Sequence, residues 1–154
     1  MQSLAEVIKK TTGKDITNYP GAGAAGGMGG GLLAFFNAEL KPGTELLLKA
    51  IDFSEKIKGA DLIITGEGKA DRQTAMGKVP YGILKEAQKE HIPVIVLAGS
   101  IENLPELNKA GFKGIFSIAP GPITLEKAME PEFAKENITR LVSQLYSVIT
   151  RDIY

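Results

Sequence analysis

Three short apolar segments, separated by stretches with helical periodicity, constrain the fold of this chain more than any other feature. They cover residues 61–65, 93–98 and 114–118. The remaining pattern predicts helices at about 81–91 and 104–110 and a long amphipathic helix at 132–151. Strands that alternate with helices are joined by right-handed crossovers and form a parallel sheet. The expected fold is therefore α/β, a partial Rossmann-like three-layer α/β/α parallel sheet.

The first 59 residues differ from the rest, because they are mainly helical and rich in glycine. A helix predicted at 3–12 ends at Gly13. Seven of the eleven residues from 21 to 31 are glycine, and the apolar residues 32–36 that follow predict a buried helix. This segment belongs less clearly to the sheet, which suggests part of a larger architecture. The core is expected to contain the phenylalanines Phe35, Phe36, Phe112 and Phe116.

Composition excludes several classes of protein. The chain has 18 Lys and Arg against 18 Asp and Glu, scattered along its length, so bulk charge attracts neither nucleic acid nor a membrane surface. It has no cysteine, which rules out disulfides and thiolate chemistry. No apolar run is long enough to span a bilayer, and the N-terminus lacks the apolar core of a signal peptide. We expect a cytoplasmic protein with no nucleic-acid or membrane partner.

The polar segment 66–78 directly follows the first predicted strand, and its residues suit phosphate chemistry. In open α/β sheets, ligands bind beyond the carboxyl ends of the strands. Phosphoryl transfer needs oxygen ligands for Mg²⁺, cations near the phosphoryl group and a base for the accepting hydroxyl. The carboxylates of Glu67 and Asp71 can serve as ligand or base, and Lys69 and Lys78 can serve as the cations. The alternative is a polar connection whose charges simply face water.

Other residues of this region leave their roles open. Gln73 and Thr74 can bond ligand oxygens, although Thr74 can instead cap the next helix. Residues 99–100 and 120–122 follow the second and third strands, so they either face the same crevice or form plain turns. A Walker A motif is absent, because position 72 is arginine and position 79 is valine.

Residues 21–26 match the pattern G-x-G-x-x-G, but they do not predict a dinucleotide site. The preceding residues, 17–20, do not form a buried strand, and no suitable acidic residue follows. Bare backbone N–H groups at such a turn can still bind an anion. The equally weighted alternative is close helix packing through a face of small residues formed by Gly26, Gly27, Gly30 and Ala34.

These blocks together resemble the type I glycerate kinases. The resemblance rests on residues 20–32, residues 60–68, Asp71 with Gln73-Thr74 and Gly77-Lys78, and residues 116–122, and it runs from about Leu4 to Val148. It implies an α/β domain inserted into a Rossmann-like domain, in chains much longer than this one. Residues 1–55 would be the C-terminal part of the inserted domain and residues 56–154 that of the Rossmann-like domain. Met1 would then be either a start chosen for expressing part of a longer protein or the start of a truncated gene.

The resemblance also implies a phosphotransferase that uses ATP and Mg²⁺ to phosphorylate glycerate to phosphoglycerate. It implies Asp71 as base or metal ligand, Glu67 as metal ligand, and Lys69 and Lys78 as phosphate cations. Lys69 stands where the family pattern has arginine, and Arg72 where it has a small residue. Contacts to substrate or phosphate, in part from across a domain cleft, are expected from Gly21, Gly23, Gly26, Gly27, Gly66, Gly68, Gln73 and Thr74.

Two other interpretations stay open. The chain alone would be a non-catalytic α/β fragment that folds and self-associates through apolar surface without turnover. It would otherwise be an NAD-binding module, which the failed context of residues 21–26 makes the weaker interpretation. A homo-oligomer is compatible with both the kinase and the fragment.

Overall fold

The chain forms two compact units in a computed structural model that describes residues 2–36, 38–102 and 104–150. The first unit reaches Leu46, and the second begins at Leu47. Each unit contains its own cluster of buried apolar side chains. None of the described helices is both long and apolar enough to cross a membrane.

The first unit is helical. Helix α1 (Gln2–Thr12) ends where the sequence predicts, at Gly13, whose φ is +74° and whose N–H donates to the carbonyl of Lys9 at 3.0 Å. Helix α2 (Ala24–Phe36) follows, and helix α3 (Gly43–Ala50) begins in this unit and ends in the second. The buried cluster of the first unit comprises Ala5, Ile8, Ile16, Ala22, Leu33 and Ala34.

The glycines of α2 serve two different purposes. Ala25, Gly26 and Gly27 have φ values of 49°, 70° and 101°, so a left-handed kink interrupts the helix near its start. A Cβ at Gly29 would lie 2.4 Å from the carbonyl oxygen of Gly21, and one at Gly30 would lie 2.6 Å from Ile16 Cδ1. Close packing therefore explains Gly30, as the small-residue alternative expects, while a Cβ at Gly26 would meet no described atom within 4 Å.

The prediction that Phe35 and Phe36 belong to the core is wrong. Their side chains are 61% and 75% exposed. The buried face of α2 contains Gly30, Leu33 and Ala34, and the next two residues point away from that face because each residue turns the helix by about 100°. Phe112 is buried as predicted, and Phe116 is half-buried.

The second unit contains a parallel sheet in the order β1-β2-β3, which confirms the α/β fold class. The strands are β1 (Ile63–Ala70), β2 (Val94–Ile101) and β3 (Gly114–Ser117). Strand β2 is central, and its first five residues are buried. The flanking helices are α4 (Phe53–Lys56), α5 (Val79–Lys89), α6 (Leu104–Ala110), α7 (Leu125–Ala128) and α8 (Pro131–Ile149). Residue 151, the predicted end of the long helix, lies outside the described residues.

Two strands are longer than the sequence predicts. Strand β1 continues from the expected end at residue 65 to Ala70, so residues 66–70 are not a loop. Strand β2 likewise continues through Gly99 and Ser100, which are not a turn. Parallel pairing of Lys69 with Ser100 holds both extensions. This tertiary pairing overrides the low strand propensity of glycine and lysine.

The core of the second unit fixes the segment that follows β1. Helix α5 packs against β1 and β2, and α6 packs against β3. A short 3₁₀ helix, Arg72–Ala75, contacts both α5 and α6. The side chains of Leu84, Val96 and Leu107 are almost completely buried. Residues 71–78 therefore lie on a well-packed base.

Candidate active site

An open crevice of about 890 Å³ lies beyond the carboxyl ends of the strands in the second unit. Strands β1 and β2 provide a largely polar wall, and residues 117–129 provide a largely apolar one. Residues 99–100, which belong to β2, and residues 121–122, which follow β3, both line this crevice. Its lining residues are Glu67, Gly68, Lys69, Gly99, Ser100, Ser117, Ile118, Ala119, Gly121, Pro122, Ile123, Leu125, Ala128 and Met129.

Asp71 caps the 3₁₀ helix that follows β1. Its Oδ1 accepts hydrogen bonds from the backbone N–H groups of Gln73 at 2.9 Å and Thr74 at 3.2 Å. In return, the Thr74 Oγ1 accepts from the backbone N–H of Asp71 at 3.1 Å. This is a capping box, in which each residue satisfies a donor of the other. Thr74 is fully buried, so its hydrogen bonds hold the Asp71 carboxylate against a packed part of the chain.

Lys78 completes the environment of Asp71. Its Nζ lies 3.3 Å from Asp71 Oδ1 and 3.5 Å from the carbonyl oxygen of Lys69. Burial alone would raise the pKa of Asp71, but the Lys78 ammonium and the backbone N–H groups of Thr74 and Gln73 outweigh it and lower the pKa below its ordinary value. Asp71 is therefore ionised at neutral pH. No described residue donates to its second oxygen, Oδ2, which stays available for a ligand.

Lys69 forms an ion pair that the sequence did not suggest. Its Nζ lies 2.8 Å from Oε1 of Glu102, and this hydrogen bond raises the pKa of Lys69. The backbone N–H of Glu102 donates to the carbonyl of Ala70 at 2.7 Å, so Glu102 is held at the end of β1. Sequence reasoning missed this partner because it ended the second strand at residue 98. Only the register that pairs Lys69 with Ser100 reveals it.

The expected site residues do not all lie together. Hydrogen bonds join Lys69, Asp71, Gln73, Thr74 and Lys78 into one cluster. Glu67 and Gly68 line the crevice beside Lys69, whereas Gly66 pairs with Leu97 within the sheet. The first unit contains Gly21, Gly23, Gly26 and Gly27.

The acidic residues fit a magnesium ion only if the ion is shared with a substrate. The described residues contain no group of three or more His, Asp or Glu side chains that could surround a metal. Mg²⁺, however, is usually bound by one or two carboxylates together with substrate phosphates. Glu67 in the crevice and the open Oδ2 of Asp71 are oxygen donors of this kind. The donor set therefore suits a metal–phosphate complex.

Comparison with known proteins identifies the family. The sequence profile described as "Glycerate kinase family" matches residues 1–150, so the chain belongs to the glycerate kinase family. The resemblance inferred from the sequence blocks is thereby confirmed.

The relatives are considerably longer than this chain. A glycerate kinase of Halalkalibacterium halodurans is 45% identical over 128 residues, which cover 82% of this chain and 34% of the relative. The glycerate 2-kinase of Escherichia coli is 44% identical over 141 residues, covering 91% and 36%. The crystal structure of a putative glycerate kinase 2 from Salmonella typhimurium matches with a TM-score of 0.63 at 35% identity, covering 95% and 38%. The chain thus spans about a third of the length of the curated relatives it matches.

Proposed function

We propose that this chain forms part of a cytoplasmic, ATP- and Mg²⁺-dependent kinase that phosphorylates glycerate to phosphoglycerate. The observation that carries the proposal is the family match over residues 1–150, with relatives named glycerate kinase. The cluster around Asp71 supports it, because it combines an ionised carboxylate with two lysines beside an open crevice. Since the relatives are longer, the proposal concerns a chain of their length that contains this sequence.

Asp71 is proposed as the general base. Its Oδ1 is held by the cap and by Lys78, which leaves Oδ2 to accept the proton of the glycerate hydroxyl. The hydroxyl oxygen then bonds to the γ-phosphorus of ATP as the bond from that phosphorus to the β–γ bridging oxygen breaks, and ADP leaves. The lowered pKa keeps Asp71 deprotonated before the transfer.

The other roles follow from charge and position. Lys69 and Lys78 are proposed to neutralise the phosphoryl oxygens, and Glu67 to hold Mg²⁺. Asp71 joins Glu67 as a Mg²⁺ ligand in the alternative in which its free Oδ2 binds the ion and does not act as the base. When bound, the ion would offset the charge of the phosphates. The Thr74 hydroxyl is buried and already bonded, so we propose that it positions Asp71 instead of touching substrate. Further contacts to phosphate or substrate are proposed for Gly66, Gly68 and Gln73 and, in the first unit, for the backbone N–H groups of Gly21, Gly23, Gly26 and Gly27.

A second candidate is a non-catalytic fragment that self-associates. A homo-oligomer would be one form of this association. Large apolar side chains on both units favour it, because Phe36 is 75% exposed and Leu125 and Val148 are each 76% exposed. Surfaces of this kind promote association when nothing covers them. Sedimentation velocity over a range of protein concentrations measures such association directly.

The deciding experiment compares two proteins. One is this chain, and the other is a chimera, defined as Escherichia coli glycerate 2-kinase whose region aligned to this chain is replaced by this chain. Glycerate-dependent release of ADP from Mg·ATP is measured after circular dichroism confirms folding. The kinase proposal is supported if the chimera turns over and Asp71→Ala abolishes that turnover. Asp61→Ala, which removes an acidic residue outside the cluster, is the control and should retain turnover. A folded chimera without turnover, or one unaffected by Asp71→Ala, contradicts the proposed roles.

A further inference from the structure

The two walls of the crevice differ sharply in chemistry. Strands β1 and β2 contribute the charged and hydroxyl groups of Glu67, Lys69 and Ser100. The segment after β3 contributes Ile123, Leu125 and Met129. A small hydroxy acid such as glycerate has almost no apolar surface to place against such a wall. The wall therefore calls for a ligand with both an apolar and an anionic part.

The apolar residues of helix α7 line the crevice, whereas its two charged residues, Glu126 and Lys127, do not. Leu125 and Met129 are four residues apart and so lie on the same side of the helix. They are 76% and 72% exposed. The ammonium of Lys127, by contrast, lies 5.0 Å from the ring centroid of Phe133 on α8. The exposed pair is thus not a by-product of a uniformly apolar segment.

The turn that presents this pair is structurally defined. The Thr124 Oγ1 accepts a hydrogen bond from the backbone N–H of Lys127 at 3.3 Å, which caps α7. Helix α7 also packs against α8. Leu125 and Met129 therefore belong to an ordered wall. Ordered but exposed apolar side chains that line a crevice are a typical feature of ligand pockets.

We propose that the crevice binds the nucleotide of the reaction, with adenine against Leu125 and Met129 and the phosphates toward Lys69; this rests on the proposed function. The volume of about 890 Å³ lies in the usual range for ligand pockets, roughly 300–1,000 Å³, and far exceeds the needs of a three-carbon acid. The methionine thioether makes favourable contacts with aromatic rings. Ser100 and Ser117 also line the crevice and offer hydroxyls to the nucleotide.

The binding test uses this chain with ADP and inorganic pyrophosphate as separate probes in isothermal titration calorimetry. Leu125→Ser and Met129→Ser should each weaken ADP binding by about tenfold or more, because each removes an apolar contact with the adenine ring. Pyrophosphate binding should change by less than about twofold. Val148→Ser is the matched control, since Val148 is also 76% exposed but does not line the crevice.

The kinetic test uses the chimera and separates this inference from the proposed function. Leu125→Ser should raise KM for ATP about tenfold and leave KM for glycerate within about twofold. The nucleotide assignment is overturned, while the kinase proposal stands, if Leu125→Ser raises KM for glycerate instead of KM for ATP. It is also overturned if Leu125→Ser and Met129→Ser bind ADP as tightly as Val148→Ser does. If Leu125→Ser alters only the stability or association of the chimera, the wall contacts protein and the assignment fails. A chimera without turnover contradicts the kinase proposal, and ADP titration of the chain then still decides this one.

Discussion

The substitution Thr74→Val tests whether the buried capping box holds the candidate base in place. Valine has nearly the same shape as threonine, so the change removes one hydroxyl without opening a cavity. The hydroxyl provides an acceptor and a donor, and both are lost. The acceptor takes the Asp71 N–H at 3.1 Å, and the single O–H donor lies 3.4 Å from the carbonyl oxygen of Lys69 and 3.5 Å from Asp71 Oδ1. Each hydrogen bond contributes about 0.5–1.5 kcal/mol, and an unsatisfied buried donor costs about 1–3 kcal/mol.

Because both bonds are somewhat long and Asp71 is only partly buried, we expect Thr74→Val to lower the free energy of unfolding by about 1–2 kcal/mol. Urea unfolding followed by circular dichroism measures this, since the chain has no tryptophan. Thr139→Val is the matched control. Its exposed hydroxyl donates to the carbonyl of Lys135 at 2.9 Å, water can replace that bond, and the expected change is within about 0.5 kcal/mol.

The same substitution should also reduce catalysis in the chimera. If the capping box orients Asp71, Thr74→Val should lower kcat by about tenfold or more with little change in either KM, because a misplaced catalytic group costs rate more than binding. Equal unfolding free energies for Thr74→Val and Thr139→Val would refute the energetic reasoning. An unchanged kcat in a destabilised protein would refute the positioning role alone.

Three further predictions follow from individual contacts. Gly29→Ala should destabilise the first unit by about 1–3 kcal/mol in thermal unfolding, because its Cβ would lie 2.4 Å from a backbone carbonyl oxygen. Gly31→Ala is the control: a Cβ there meets no described atom within 4 Å, so this change should be neutral or mildly stabilising. Glu102→Gln should lower the pKa of Lys69, measured by NMR titration, and an unchanged pKa would show that the pair does not form in solution. The pKa of Asp71 is lowered from its ordinary 3.8, so the stability that its carboxylate contributes is present above that pH and is lost as the pH falls through the lowered pKa. Asp71→Asn should remove this acid dependence of the unfolding free energy. The same dependence on pH in Asp71→Asn as in the unchanged chain would refute the prediction.

The parallel sheet could be predicted because its central part is apolar. The segment 93–98 contains a short run of β-branched and aliphatic residues after a proline, which favours a buried strand, and β2 indeed begins at Val94. The ends of the strands could not be predicted in this way. Residues 66–70 are polar or glycine, and their strand conformation depends on pairing with a neighbour that is distant in sequence.

The same limitation explains what was missed in the site. The carboxylates and lysines of residues 66–78 could be proposed as candidates from their types and their position after a strand. The partner of Lys69 could not, because Glu102 becomes its neighbour only through the register of β1 and β2. The exposure of Phe35 and Phe36 was missed for a related reason. An apolar run does not by itself say which face of a helix is covered.

The length of β1 also bears on how the site works. Asp71 directly follows Ala70, whose carbonyl accepts the N–H of Glu102 at 2.7 Å, so the sheet fixes the backbone next to the candidate base. Lys69 lies in the same ladder, with its carbonyl facing Thr74 and Lys78 and its ammonium facing Glu102. In a flexible loop, the ordering of these groups would cost about 1–2 kcal/mol of backbone entropy per residue when substrate binds. Because β1 and the cap of the 3₁₀ helix order these groups, that cost is met during folding, and the candidate base and cation are in place before any ligand binds.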